Sequence, residues 1–195
     1  MKNISLKLWI GLVSYTILYS VFFGRDGSLL PLMIQGTADP FAQNFFNLMG
    51  LVPFYFLFDY GLNIQKTKTN YLPFILGFFG GAYALLLGYT RIITLANRVK
   101  RWQKVLLVIL MLSTLSVMIL GFLTGNPQLY MAAFFTDPMV GIMLIDFLIL
   151  YTWSILRAYQ QYKDWYISFI PILGFGILML RSNRRQQPDL NHLNH

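Results

Sequence analysis

Residues 71–90 form an apolar run without one charged side chain. About 20 such residues in helical form cross the ~30 Å hydrocarbon core of a bilayer. Four further runs, at 8–23, 45–62, 105–123 and 139–156, are similarly apolar, with Asp59 in the second and Asp146 in the fifth span as their charged residues. A sixth, at 165–180, is shorter and is interrupted by Pro171, Gly174 and Gly176. Strands of a membrane barrel would alternate apolar and polar residues over about ten positions. These runs are continuously apolar, and in lipid a helix satisfies its own backbone hydrogen bonds. The expected fold is therefore all-α, a polytopic transmembrane helical bundle with six spans, or five if the last run does not cross.

Composition closes off the soluble alternatives. The chain is 56% hydrophobic and 11% charged, against about 25% charged in an ordinary soluble domain. Its net charge of +8 would suggest nucleic acid in a soluble protein. Here the basic residues flank apolar runs, where they meet anionic headgroups and set topology. No nucleic-acid partner is expected. There is no cysteine, which excludes disulfides, thiolate metal sites and a cysteine nucleophile. His192 and His195 stand in a polar tail without other ligands, so no metal site is expected.

Residues 1–181 read as one transmembrane helical domain and 182–195 as a disordered polar tail. The first run ends without a small-x-small cleavage site, so an uncleaved first helix is expected. Leu29 to Ile34 is too short to cross and reads as an interfacial or re-entrant piece. Pro53 lies in the middle of the second span. With six spans, one side collects Lys2, Lys7, Lys66, Lys68, Arg181, Arg184 and Arg185. The other collects Arg25, Arg91, Arg98, Lys100, Arg101, Lys104, Arg157 and Lys163. That near-equal split leaves orientation undecided. The cluster Arg91, Arg98, Lys100, Arg101 and Lys104, with Trp102 as an interfacial anchor, reads as a headgroup and topology signal that leans towards the cytoplasm or stroma.

Three polar residues are candidates for chemistry. Asp146 lies near the middle of the fifth span, where a carboxylate costs about 2.5–3.5 kcal/mol on insertion scales. It reads either as a proton donor or ligand contact, or as a polar lock bonded to another helix. Asp59 stands near the aqueous end of the second span, the place of a snorkelling carboxylate. Asn47 is about three turns before it, roughly on the same face, with an amide suited to bonding a neighbouring helix. Gly77, Gly81, Ala84 and Gly88 recur at steps of four, three and four and are expected on one helix face as a packing seam. The aromatic cluster of Phe45, Phe46, Phe54, Tyr55, Phe56, Phe58 and Tyr60 packs the bundle, faces lipid, or lines a pocket for a flat apolar ligand. No cofactor is evident, while a lipophilic pigment, quinone or isoprenoid fits the aromatic content.

Three segments carry a resemblance. Residues 44–53, containing Phe46-Asn47-Leu48-Met49-Gly50 and Pro53, resemble an FN-x-MG-x-x-P stretch. Phe134-Phe135-Thr136-Asp137-Pro138 followed by Asp146 resembles a second block. Pro171 to Gly174, running on to Leu180-Arg181, resembles a closing span. Together they resemble a family of small multi-pass membrane proteins of unknown function from cyanobacteria and plastids, over about two thirds of the chain. The resemblance implies a bacterial inner membrane or a thylakoid membrane. Some related domains occur in membrane-bound terpene cyclases, which would make Asp146 and Asp59 acids. The sequence lacks the intramembrane Glu of such a pair. The expected role is a non-enzymatic accessory, assembly or lipophilic-ligand-binding bundle, with lipids and a membrane-protein partner or second copy as partners. The alternatives are a lipid- or isoprenoid-modifying enzyme using an intramembrane Asp, and a small transporter.

Overall fold

The computed structural model describes residues 2–23, 29–63, 71–89 and 99–181. The tail 182–195, Arg91 and Arg98 lie outside the described residues. Among the described residues the regular structure is helical: α1 (Lys2–Phe23), α2 (Leu29–Gln35), α3 (Pro40–Asn63), α4 (Leu72–Tyr89), α5 (Arg101–Thr124), α6 (Pro127–Thr136), α7 (Pro138–Gln161), a 3₁₀ turn (Trp165–Phe169) and α8 (Leu173–Arg181). Five of these, α1, α3, α4, α5 and α7, are long and apolar enough to cross a membrane. The protein is an all-α, membrane-embedded bundle.

One of the five is not straight. Gly81 has φ +48° and ψ −131° inside α4, a region that side-chain-bearing residues rarely occupy. The two halves fold back on each other. A Cβ added at Gly77 would lie 2.7 Å from the Leu85 side chain, and one at Gly88 would lie 3.0 Å from Pro73 Cβ. The Phe74 and Tyr89 rings stand 5.3 Å apart. In a straight helix residues 73 and 88 would be separated by about 22 Å. α4 is therefore an antiparallel helical hairpin centred on Gly81. Each arm is about 13 Å long, less than half the ~30 Å hydrocarbon core. The run at 71–89, long and apolar enough to be read as a span, is folded back on itself at Gly81.

The sixth run is a second short hairpin. Five residues of 3₁₀ turn and nine of α8 flank Pro171 and Ile172, a β-branched residue at φ +60°. No continuous helix long enough to cross is formed there, which corrects the expectation of a sixth span. Trp165 packs on Tyr159 at the end of α7, and the Phe169 carbonyl accepts from Tyr151 Oη at 2.6 Å, two turns deeper. Pro171 shares a cavity wall with Gly121 late in α5. A Cβ on Gly176 would lie 3.0 Å from Met111, ten residues nearer the start of α5. α8 therefore climbs back towards the end from which the 3₁₀ turn descended.

The bundle has two distinct ends. At one, Ser5 Oγ donates to the Leu86 carbonyl (2.8 Å) and Trp9 Nε1 to the Tyr83 carbonyl (3.0 Å), while Tyr60 packs on Tyr71 and Phe74. These contacts fix both ends of α4 beside the start of α1 and the end of α3. At the other, Asp39 Oδ1 accepts from Phe41 N (2.9 Å) and Asn126 N (3.1 Å). Asp137 caps α7 through Met139 N (2.8 Å) and holds Leu29 N (2.9 Å). Each carboxylate satisfies an orphan N–H at a helix start and ties in a neighbouring element. The segment before Pro138 is the short helix α6, started by Asn126 and Pro127. Between the ends α3 and α5 pack closely: Tyr55 Oη and Thr114 Oγ1 are 2.9 Å apart, and Gly125 meets the Phe41 backbone too tightly for any Cβ.

Candidate functional site

The polar interior is organised around α7. Asp146 is 5% exposed and its Oδ1 accepts the Ala82 N–H at 2.8 Å. Ala82 is the first residue of the returning arm of α4. A break at Gly81 leaves that half-helix with unpaired N–H groups and the positive end of its dipole inside the bundle. Asp146 answers both. A Cβ at Gly81 would collide with the carboxylate, so the glycine is required twice over, by its dihedrals and by this approach.

The small-residue seam acts differently from its spacing. Gly77, Gly81, Ala84 and Gly88 cannot share one face of a straight helix, because Gly81 breaks it. Gly77 faces Leu85 and Gly88 faces Pro73 and Phe74, so these glycines let the two arms of one hairpin close. Gly80 and Ala84 flank the turn.

Asp59 is fully buried, not snorkelling at an aqueous edge. Its Oδ2 receives Arg157 Nη2 at 2.8 Å, Arg157 Nε at 3.2 Å and Tyr89 Oη at 2.9 Å. The Arg157 guanidinium is 1% exposed and lies 4.9 Å from the Tyr89 ring centroid, a cation–π arrangement. The Gln161 amide lies against Arg157, and with its oxygen and nitrogen exchanged the oxygen accepts from the guanidinium. The sequence placed Arg157 beyond the fifth span. The structure extends α7 to Gln161 and makes Arg157 the missing partner of Asp59. Arg157 stands eleven residues beyond Asp146 on α7, a rise of about 16 Å. The two aspartates thus serve separate clusters at different depths, far beyond the spacing of a shared-proton pair. Asn47 is exposed on the outside of α3 and joins neither cluster.

A cavity of about 210 Å³ opens between α3, α5 and α7. Phe41, Phe45 and Leu48 of α3 form one wall, Val117 and Phe122 of α5 another, and Pro171, at the turn of the second hairpin, a third. Asn44 contributes an amide whose Nδ2 donates to the Pro40 carbonyl at 2.8 Å. Gly121 lets α5 approach Asn44, where an added Cβ would stand 3.0 Å from Asn44 Cβ. Of the aromatic cluster read from sequence, Phe45 lines this cavity. Tyr55, Phe56 and Tyr60 are core residues, and Phe54 is exposed against Phe78. Neither Asp146 nor Asp59 lines this cavity or the small void of about 20 Å³ beneath Phe175. Among the described residues no group of three or more His, Cys, Asp or Glu side chains could hold a metal ion. Comparison with family models, curated proteins and solved structures found no match.

Proposed function

We propose that the protein is a multi-pass membrane protein of a bacterial inner membrane or thylakoid that binds one lipophilic chain without transforming it. The observation that carries this reading is the groove beside Phe45, Val117 and Pro171. Apart from the Asn44 amide its walls are aromatic and aliphatic, and both intramembrane carboxylates are engaged elsewhere by protein donors. At about 210 Å³ it is smaller than the ~300–1,000 Å³ of sites for whole drug-sized ligands. It suits one segment of a longer molecule, the prenyl tail of a quinone, pigment or isoprenoid, whose remainder lies along the bundle in lipid.

The test is extraction in mild detergent followed by mass spectrometry of bound lipophilic molecules. Val117→Trp fills the groove from a half-buried position. The expected result is a prenyl lipid bound to the parent protein and depleted several-fold in the folded variant. A monodisperse variant with an unchanged lipid complement would overturn the proposal.

The two hairpins favour transport as a second reading. Broken helices that end near mid-membrane build the sites of many secondary transporters, and here both turns reach the level of Asp146 and Phe147 on α7. Transport requires that a cysteine at Leu48 react with water-soluble reagents from both faces in turn. The binding reading requires that it react from neither.

A further inference from the structure

The two hairpins change how the basic residues are divided. The ends of α3 and α7, the start of α1, both ends of α4 and the end of α8 lie together at one end of the bundle. α5 begins at that end too, since its Gly121 and Gly125 pack against Asn44 and Phe41 near the start of α3. Among the described residues every lysine and arginine belongs there: Lys2, Lys7, Lys100, Arg101, Lys104, Arg157, Lys163 and Arg181. The connecting sequences joining α3 to α4 and α4 to α5 begin and finish at that end, and they carry Lys66, Lys68, Arg91 and Arg98. Among the basic residues of the described elements and the connections between them, Arg25 alone falls in a connection at the opposite end. That end instead holds Asp39 and Asp137. Exposed Trp102, Tyr71 and Tyr159 accompany the basic end, as side chains with an apolar body and a polar tip do at a headgroup layer.

We propose that α1, α3, α5 and α7 cross the membrane, that both hairpins dip in from one side, and that the resulting basic face lies in the cytoplasm or stroma against anionic phospholipid headgroups. With Arg184 and Arg185 of the tail left aside, the near-even charge division of a six-span chain becomes twelve against one, the asymmetry that fixes orientation. Lys100, Arg101 and Lys104 are exposed beside Trp102. At the headgroup layer each contributes attraction to an anionic leaflet that salt weakens. The proposal rests on membrane insertion but not on what occupies the groove.

The absence of cysteine makes the test direct. Single replacements Lys66→Cys, Lys100→Cys, Lys163→Cys, Thr37→Cys and Gln128→Cys are labelled with a membrane-impermeant maleimide from each side of the membrane. Positions 66, 100 and 163 are expected to react from the cytoplasmic side, and 37 and 128 from the other. Labelling of 66 and 100 from opposite sides would overturn the topology. The lipid part is read separately, from lipids retained after purification in micelles holding equal phosphatidylglycerol and phosphatidylcholine. The parent protein is expected to retain phosphatidylglycerol in excess, and a Lys100→Gln, Arg101→Gln, Lys104→Gln variant to lose most of that excess. Equal retention of the two lipids by the parent protein would overturn it.

Discussion

Two residues in the bundle interior show how a charge is kept in a membrane. Asp59 and Arg157 are both almost completely buried, and three donors converge on one carboxylate oxygen. Removing one partner of such a pair typically costs about 3–5 kcal/mol, while replacing both with apolar residues is often near neutral. Asp59→Leu and Arg157→Met are each expected to lower the melting temperature in detergent strongly, and the double variant to recover most of the loss. Additive losses, checked by a thermal unfolding cycle, would contradict the pairing. The sequence displayed Asp59 but not its partner. Arg157 follows the apolar run that defined the fifth span, and hydropathy ends a span at the first charge. Helices obey hydrogen bonds instead, so α7 carries Arg157 inward on the buried side of another turn. Asn47 erred the other way. An amide and a carboxylate about three turns apart share a face only roughly, and enough drift accumulates for Asn47 to emerge outside while Asp59 is buried.

At the scale of elements, the Asp146–Ala82 bond links a side chain to a broken helix. Asp146→Asn preserves an acceptor for the Ala82 N–H and is expected to leave stability little changed. Asp146→Leu leaves that N–H buried and unpaired, at about 1–3 kcal/mol. Gly81→Ala adds backbone strain of about 1–3 kcal/mol to a collision with the carboxylate, and is expected to be the worst tolerated of the three. Melting curves in one detergent rank them. Asn as damaging as Leu would show that charge, not hydrogen bonding, holds the hairpin. Length and apolarity found every long helix here, because burial in lipid demands both. They could not find the hairpin, since an apolar run has the same composition whether it crosses or returns. The glycine spacing held a trace of it. Gly77 lies four residues before Gly81 and Gly88 seven after it, and each faces the other arm, Gly77 at Leu85 and Gly88 at Pro73 and Phe74.

At the scale of the whole molecule, α7 is the axis. One hairpin turn reaches it at Asp146, the other lies at the level of Phe147, and the end away from both is tied by Asp39 and Asp137. Charge counting along the sequence was undecided because it assumed that the runs at 71–90 and 165–180 cross. Each crossing moves all later charges to the opposite side, and the proposed topology, in which neither run crosses, gathers those of the described residues on one. The groove was legible only as aromatic content. Its walls come from four separate elements, and no spacing within one helix reveals them. The arrangement of the whole bundle depends most on the reversal at Gly81, which a cross-link tests directly. Cysteines replacing Pro73 and Gly88 would have Cβ atoms about 3 Å apart in the hairpin, close enough for a disulfide, whose Cβ atoms are typically about 3.5–4.5 Å apart. In a straight span they would be about 22 Å apart. Rapid, dilution-independent formation of this intramolecular disulfide in native membranes is the predicted result; its absence, with both cysteines free to react with small permeant reagents, would contradict it.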